Sequence, residues 1–214
     1  MSPSLFGRNA GVVFFCYLLG AMPFGFMAAR LVGMDITRQG SGNTGATNVL
    51  RILGPVYAVP VLLLDVGKGV LSAYLGLRFL GIGTLGALIA GTAAIAGHNW
   101  SVFLKFRGGK GVAASAGVAL VAFPMIFAVA LGVFILTVLL TRYVSLGSLL
   151  GSFAAMIVSF TPGYTLVHRA PVFILVCLIA YQHRSNVQRL LKGTENKIGA
   201  KADRSKVDHG GAGP

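Results

Sequence analysis

Long, mostly apolar stretches constrain this chain more than any other feature of its sequence. Seven of them can be read, at about residues 11–32, 54–80, 82–97, 111–123, 124–141, 143–160 and 170–181. A helix that crosses about 30 Å of hydrocarbon needs about 20 predominantly apolar residues, and most of these stretches approach that length. The stretches at 111–123 and 170–181 are shorter and would cross by thinning the bilayer or by snorkelling of flanking side chains. The pattern predicts an all-α integral membrane protein with about seven transmembrane helices.

Composition excludes a soluble globular protein. Charged residues make up 11% of the 214 residues, against about 25% in a typical soluble domain. The net charge of +13 would suggest nucleic acid as a partner in a soluble protein. Here the basic residues cluster between and after the apolar stretches, and no basic patch is interleaved with aromatic residues. Anionic lipid headgroups and an anionic substrate are the partners that this charge indicates, and nucleic acid is not.

Lysine and arginine divide unequally between the two ends of the predicted helices. With the N-terminus outside, the basic residues outside are Arg8, Arg78 and Arg169. Those on the cytoplasmic side are Arg30, Arg38, Arg51, Lys105, Arg107, Lys110, Arg142 and seven more in the C-terminal segment. Because positive charge accumulates on the cytoplasmic side, the split predicts a cytoplasmic C-terminus and a plasma or inner membrane location. Residues 1–199 are interpreted as one multi-spanning catalytic domain, and residues 200–214 as a disordered cytoplasmic tail.

The first of three polar segments is GSGNTGATNVLR, from Gly40 to Arg51, in a glycine-rich loop predicted over residues 33–53. Glycine exposes backbone N–H groups, the Ser, Thr and Asn side chains add short donors, and Arg51 adds a forked cation. Such a loop can cradle phosphate or carboxylate oxygens. Its GxGxxG spacing does not follow a credible strand of a βαβ unit, so a dinucleotide site is excluded.

The second polar segment is GHNWSVFLKFRGGKG, from Gly97 to Gly111. Three cations surround Gly108 and Gly109, and glycine lets the backbone approach a ligand closely. The segment is not a phosphate-binding loop of the nucleotide hydrolases, because Gly111 stands where a Ser or Thr is required. The alternative is that these cations only set the topology of the membrane protein.

The third polar segment is HRSNVQRLLKGTEN, from His183 to Asn196. His183, Asn186 and Arg189 recur at every third residue, so on a helix they share roughly one side. A short interfacial helix is predicted here, and a plain solvated juxtamembrane helix is the alternative.

Several kinds of chemistry are not indicated by this sequence. No Cys or His cluster has metal-ligand spacing, and no Ser-His-Asp set can be assigned, so no metal and no cofactor are expected. Asp65 and Lys68 lie one helical turn apart inside an apolar stretch. An ion pair in that position is a candidate for function, although a structural pair that neutralises itself is the favoured interpretation.

The three segments together resemble the bacterial membrane acyltransferases that use acyl phosphate to acylate glycerol 3-phosphate. The family's motifs have the forms GSGNxGxTNxxR, GHxxPxFxxFxGGKGxA and HxxNxxRxxxGxE. The first matches throughout, and the third matches at His183, Asn186, Arg189, Gly193 and Glu195. The second matches except that Ser101 stands where proline is usual. Three motifs in register over nearly the whole chain up to Glu195 make the resemblance specific.

The resemblance implies seven helices around a cytoplasm-facing site. It also implies transfer of a fatty acyl group from acyl phosphate to the 1-hydroxyl of glycerol 3-phosphate, which gives lysophosphatidic acid and phosphate. The residues implied to hold or orient glycerol 3-phosphate are Ser41, Arg51, Lys110, His183 and Asn186. Those implied to bind the acyl phosphate head are Gly42, Asn43, Thr47 and Asn48, and the further substrate-binding candidates are His98, Gly108, Gly109 and Arg189.

Alternatives remain open at the level of sequence. Acyl-CoA as the donor is not excluded, and neither is a side-chain base in place of the donor's own phosphate oxygen. A transporter of organic anions is the alternative from another functional class. Transporter sites lie near the membrane midplane between related repeats, whereas the polar residues here collect at one face of the predicted bundle. An enzyme is therefore the favoured interpretation, and the oligomeric state is left open.

Overall fold

The computed structural model of the protein describes residues 3–199, and within that range the regular structure is helical. Only an isolated bridge between Ser101 and Arg107 has β geometry there. The predicted disordered tail, residues 200–214, lies outside the described residues. The helices are α1 (Pro3–Ala21), α2 (Phe24–Arg30), α3 (Ala46–Leu53), α4 (Pro55–Phe79), α5 (Thr84–Asn99), α6 (Val112–Ala122), α7 (Pro124–Thr141), α8 (Val144–Val158), α9 (Leu166–Gln182) and α10 (Arg184–Leu191).

Three of the described helical segments are long and apolar enough to cross a membrane: Leu5–Arg30, Pro55–Phe79 and Pro124–Thr141. The bent pair α9 and α10, which turns by 58°, gives a fourth if it is one broken span. Many large apolar side chains on these helices are exposed, such as Leu63 at 65% and Leu140 at 76%. Exposed leucine at this density is typical of a lipid-facing surface. The integral membrane prediction is thereby supported, while the count of seven spans stays a prediction.

Helix α4 lies at the centre of the packing and contacts α1, α5 and α6. Its neighbours approach closely because glycine stands at the crossing points. A methyl group at Gly69 would overlap the backbone of Ala114 in α6, and one at Gly117 would overlap Val66 in α4. Small residues at helix crossings are the usual means of tight packing in membranes. Gly147 and Gly151 in α8 have a similar packing role, since both face α7.

The structure corrects two boundaries expected from sequence. The loop predicted over residues 33–53 ends in a helix, because α3 occupies Ala46–Leu53. Its apolar residues pack with α4, and polar Thr47, Asn48 and Arg51 masked that periodicity. The last apolar stretch, predicted from residue 170, begins at Leu166, where Thr165 and His168 form a capping box. Arg169 therefore lies inside α9 rather than before it.

Candidate active site

The three polar segments come together around one open cavity of about 330 Å³. The first segment contributes the turn before α3, the second contributes the connection between α5 and α6, and the third contributes α10. The lining residues are Ser41, Gly42, Asn43, Asn99, Trp100, Phe106, Arg107, Gly108, Gly109, Lys110, Gln182, Arg184, Ser185 and Arg189. Convergence of three segments, of which the first and the third lie more than a hundred residues apart, identifies this cavity as the candidate site.

Asn48 shapes the first polar segment from inside. Its Oδ1 accepts hydrogen bonds from Ser41 N and Arg51 Nη1, both at 3.1 Å. Its Nδ2 donates to Gln39 O at 3.0 Å and to Asn43 O at 2.9 Å. An amide side chain has two donor and two acceptor positions, so the hydrogen-bonding capacity of Asn48 is fully used within the protein. In this structure Asn48 holds the loop, and its direct contact with acyl phosphate stays a prediction.

Asn43 links the first segment to the second. Its Oδ1 accepts from Gly45 N at 2.8 Å, which closes a tight turn before α3, and its Nδ2 donates to Gly108 O at 3.4 Å. Gly40 and Gly42 adopt positive φ values of 59° and 69°, a region that glycine reaches without steric cost. The result is a rigid loop that carries exposed Ser41 to the mouth of the cavity.

Ser101 begins the connection between α5 and α6. Its φ of −68° is the value to which a proline ring is restricted, so the turn keeps the geometry that proline gives in the resembling family. The buried hydroxyl also donates to Ala21 O at 2.6 Å. Serine therefore adds a hydrogen bond that proline lacks, and it ties this connection to the end of α1.

A chain of polar contacts runs from Lys110 into the third segment. Lys110 Nζ donates to Asn186 Oδ1, and Asn186 Nδ2 donates to Glu195 Oε1 at 2.7 Å. Ser145 Oγ donates to the same Glu195 oxygen at 2.8 Å, and Arg189 Nε donates to Glu195 Oε2 at 2.7 Å. Glu195 thus fixes the direction of the Asn186 amide, which presents its oxygen to Lys110. The Glu195 side chain is only 5% exposed.

Positive charge dominates this cluster, which brings three cations, Arg51, Lys110 and Arg189, near one carboxylate. The pKa of Lys110 is lowered to about 8 mainly by burial; Glu195 opposes this shift, and Arg189 and Arg51 contribute to it. Burial also lowers the pKa of Arg51. Burial alone would raise the pKa of Glu195, but hydrogen bonds from Asn186, Arg189 and Ser145 outweigh it and lower the pKa overall. A site with surplus positive charge is suited to an anion.

Most of the candidate residues from sequence lie at the cavity or directly behind it. Those that line the cavity are Ser41, Gly42, Asn43, Gly108, Gly109, Lys110 and Arg189. Arg51, Asn48 and Asn186 lie behind these residues and are connected to them by the contacts given above. His183 is buried between α9 and α10 with Nδ1 hydrogen-bonded to Ile179 O at 2.8 Å, which leaves Nε2 for another partner.

Two candidates lie elsewhere. Thr47 is exposed in the first turn of α3 and is not part of the cavity lining. His98 is buried in the last turn of α5 and lines a separate, much smaller cavity of about 10 Å³ with Asp65 and Lys68. Sequence reasoning did not assign functions to Glu195 and Ser145. Glu195 was visible as the last position of the third motif, whereas Ser145 carries no local signal.

Known proteins are similar to this chain over most of its length. The glycerol-3-phosphate acyltransferase of Symbiobacterium thermophilum is 47% identical over 186 residues, which cover 87% of this chain and 92% of that protein. A protein of the same name from Thermus thermophilus is 44% identical over 189 residues, with 87% and 94% covered. The crystal structure of PlsY (YgiH), an integral membrane glycerol 3-phosphate acyltransferase, in its glycerol 3-phosphate form superposes with a TM-score of 0.85 at 39% identity, covering 89% of this chain and 96% of that one.

The lysophosphatidic acid form of the same enzyme gives a TM-score of 0.82 at 39% identity, with 89% and 95% covered. The shared all-helical fold, the lipid-facing helices and the one-sided polar site define an integral membrane acyltransferase. The family model described as glycerol-3-phosphate acyltransferase matches residues 10–193. This chain belongs to that family.

Proposed function

We propose that this protein transfers a fatty acyl group from acyl phosphate to the 1-hydroxyl of glycerol 3-phosphate, giving lysophosphatidic acid and inorganic phosphate. The observation that carries the proposal is the cation cluster around Lys110 beside a cavity that also holds the Ser41–Asn43 loop. The names of the relatives agree with it, and so do the glycerol 3-phosphate and lysophosphatidic acid forms of the similar structure.

The reaction requires the alignment of two anions more than it requires a strong base. Acyl phosphate is a mixed anhydride with a good leaving group, so the hydroxyl oxygen bonds to the acyl carbon as the bond from that carbon to the phosphate oxygen breaks. Arg51, Lys110 and Arg189 offset the repulsion between the two phosphates and stabilise the developing charge. The hydroxyl proton passes to an oxygen of the departing phosphate.

Each site residue then has a proposed role. The residues that hold the phosphate or orient the glycerol of glycerol 3-phosphate are Ser41, Arg51, Lys110, His183 and Asn186. Gly42 and Asn43 receive the acyl phosphate head, with Asn48 maintaining their loop, and Thr47 would join them only if the head extends beyond the cavity lining. Gly108 and Gly109 let the backbone approach the ligands, and Arg189 adds charge at the rim. The acyl chain lies between helices, so it never has to leave the bilayer.

Topology follows from the charge distribution. We propose seven spans, the N-terminus outside, and the site facing the cytoplasm of a plasma or inner membrane. Residues 1–199 form one catalytic domain in this proposal, and residues 200–214 form a cytoplasmic tail.

A direct assay tests the reaction. Purified protein in lipid or detergent is supplied with acyl phosphate and glycerol 3-phosphate, and phosphate and lysophosphatidic acid are followed together. Equal formation of both products, dependent on Lys110 and absent with acyl-CoA, is the expected result. Product formed from acyl-CoA but not from acyl phosphate would show that acyl-CoA is the donor. Absence of turnover with both donors from folded protein would reject the proposal and lead to an anion-transport assay in vesicles.

The proton acceptor has its own test. We expect Ser41→Ala, Asn43→Ala and His183→Ala each to lower the rate by about ten- to a hundredfold, because each removes one positioning contact. Turnover and the binding of each substrate are measured separately for every variant. Complete loss of turnover in one variant that still binds both substrates would identify a side-chain base.

The pH dependence is set by Lys110. Because its pKa lies at about 8 in the free protein, its cationic form is present below that pH and is lost as the pH rises through it. We expect kcat/KM for glycerol 3-phosphate, which reports free-enzyme groups, to fall above about pH 8. Lys110→Arg, although slow, should show no such fall, because a guanidinium stays charged across the range. The same alkaline fall in Lys110→Arg would contradict the assignment.

A further inference from the structure

A buried cluster of three ionisable side chains lies beneath the second polar segment. Asp65 and Lys68 stand one turn apart in α4, and His98 stands in the last turn of α5. Asp65 Oδ1 is 2.8 Å from Lys68 Nζ and 3.5 Å from His98 Nδ1, and the three side chains are at most 6% exposed. Ionisable groups within membrane helices are costly to bury and are candidates for function.

Lys68 makes its contacts inside the protein. Its Nζ donates to Met22 O at 3.2 Å, at the break between α1 and α2, and it lies 5.5 Å from the centre of the Phe24 ring. Lys68 is not part of the lining of the large cavity. Its positive charge therefore pairs with the Asp65 carboxylate and with the carbonyl at the helix break rather than with a substrate anion.

His98 joins this cluster to the loop that carries Lys110. Gly109 N donates to His98 O at 3.0 Å. The Nε2 side of the imidazole ring lies so close to Gly109 that an added methyl group would overlap it. Gly109 immediately precedes Lys110, so any rotation of the ring would shift the backbone from which the Lys110 side chain leaves.

From these contacts we propose that Asp65 is a positioning residue for the acyl transfer. Its carboxylate holds the Nδ1–H of His98 toward itself, the fixed ring supports Gly109, and the loop aims Lys110 into the cavity. Lys68 neutralises the carboxylate in the apolar region. His98 is then a positioning residue behind the loop, in place of the substrate contact implied by the resemblance. The proposal rests on the function proposed above.

The competing explanation is that the ion pair only fastens helices together. Two double variants separate the explanations, because both remove the two charges and keep the side-chain size. Asp65→Asn with Lys68→Met retains an oxygen that accepts from His98 Nδ1, whereas Asp65→Leu with Lys68→Met retains none. A fastening role predicts equal behaviour of the two, and a positioning role predicts that they differ.

We expect the Asp65→Asn/Lys68→Met protein to keep kcat within about tenfold of the unaltered protein and the Asp65→Leu/Lys68→Met protein to lose about a hundredfold, since misplacement by about 1 Å has that effect. The two melting temperatures should agree. Thr137→Val is the matched control, because it removes a buried hydrogen bond to Val133 O in α7, away from the site. Equal kcat in the two double variants would overturn the proposal.

The tautomer of His98 gives a readout that does not depend on turnover. Nitrogen NMR of the unaltered protein, with His98 assigned by comparison with His98→Gln, should show a proton fixed on Nδ1. A proton on Nε2, or rapid exchange between the nitrogens, would overturn the proposal. If the unaltered protein shows the fixed tautomer but no acyl transfer, the proposed function fails while the support of the loop by Asp65 and His98 stands.

Discussion

Lys110→Ala is expected to lower kcat/KM for glycerol 3-phosphate by about a thousandfold and to leave the fold intact. Lys110 lines the cavity and is half-buried, and its ammonium donates to Asn186. Removal of one preorganised group that stabilises transition-state charge costs about 10²–10³ in rate. In the proposed reaction the same cation also offsets the repulsion between the two phosphates, so we expect the upper part of that range. The measurement is steady-state kinetics beside thermal unfolding of the same preparation.

Two further variants make the Lys110 result specific. Lys110→Arg should also be slow, because a planar fork does not replace a compact ammonium at the Asn186 oxygen. Lys105→Asn removes one positive charge from the same connection. Lys105 is exposed and has a positive φ of 54°, which asparagine tolerates. Its kinetics should stay near those of the unaltered protein. A Lys110→Ala enzyme with near-normal rates would contradict the assignment of the site.

Glu195→Ala is expected to damage both stability and activity. It leaves Arg189 without its carboxylate and leaves the Asn186 amide free to rotate, so that its NH₂ group can face Lys110. Loss of a hydrogen-bonded charge costs about 1.5–3 kcal/mol, discounted because Arg189 is one-third exposed, so about 1.5 kcal/mol of unfolding free energy should be lost. The rate should fall at least about tenfold, since Lys110 loses its fixed partner.

Comparison with Asp35 tests whether the effect of losing a carboxylate depends on its position at the candidate site. Asp35→Asn and Glu195→Gln each turn one carboxylate of an arginine pair into an amide, but Asp35 lies outside the cavity lining and pairs with exposed Arg30. We expect Asp35→Asn to change stability by less than about 1 kcal/mol, as for surface pairs, and to leave kcat unchanged. Glu195→Gln should lower kcat. Equal effects of the two would show that Glu195 has no special part in orienting Asn186.

The site was largely predictable from sequence because its donors come in three dense local segments. Seven candidates line one cavity, and Lys110 and Asn186, which are 76 residues apart, are in contact. The sequence did not distinguish residues that bind a ligand from residues that hold the loop in shape. Asn48 has the residue type of a phosphate ligand, and only its four hydrogen bonds within the protein show that it also holds the loop. Hydrogen bonds of that kind are visible only in the three-dimensional structure.

The fold was predictable in class but less so in detail. Apolar runs indicated membrane helices, and the helix starts at Pro55 and Pro124 fall where proline is favoured in a first turn. Helix α3 was not predicted because the residues on its polar face belong to the candidate site. These polar residues interrupt the hydrophobic pattern of the helix. The pairing of Asp65 with Lys68 followed from their spacing, whereas the contact of Asp65 with His98 joins α4 to α5 and leaves no trace in either local sequence.

The contact between Ile198 and Arg142 has a consequence for how the protein is made. Ile198 N donates to Arg142 O, and the Arg142 guanidinium donates back to Ile198 O, so the segment with Glu195 is fastened beside α8. The segment with Glu195 is made after α1 to α9. The nascent protein therefore holds Arg51 and Lys110 before it has this carboxylate, and the polar contacts of the candidate site are complete only once the segment has joined the bundle.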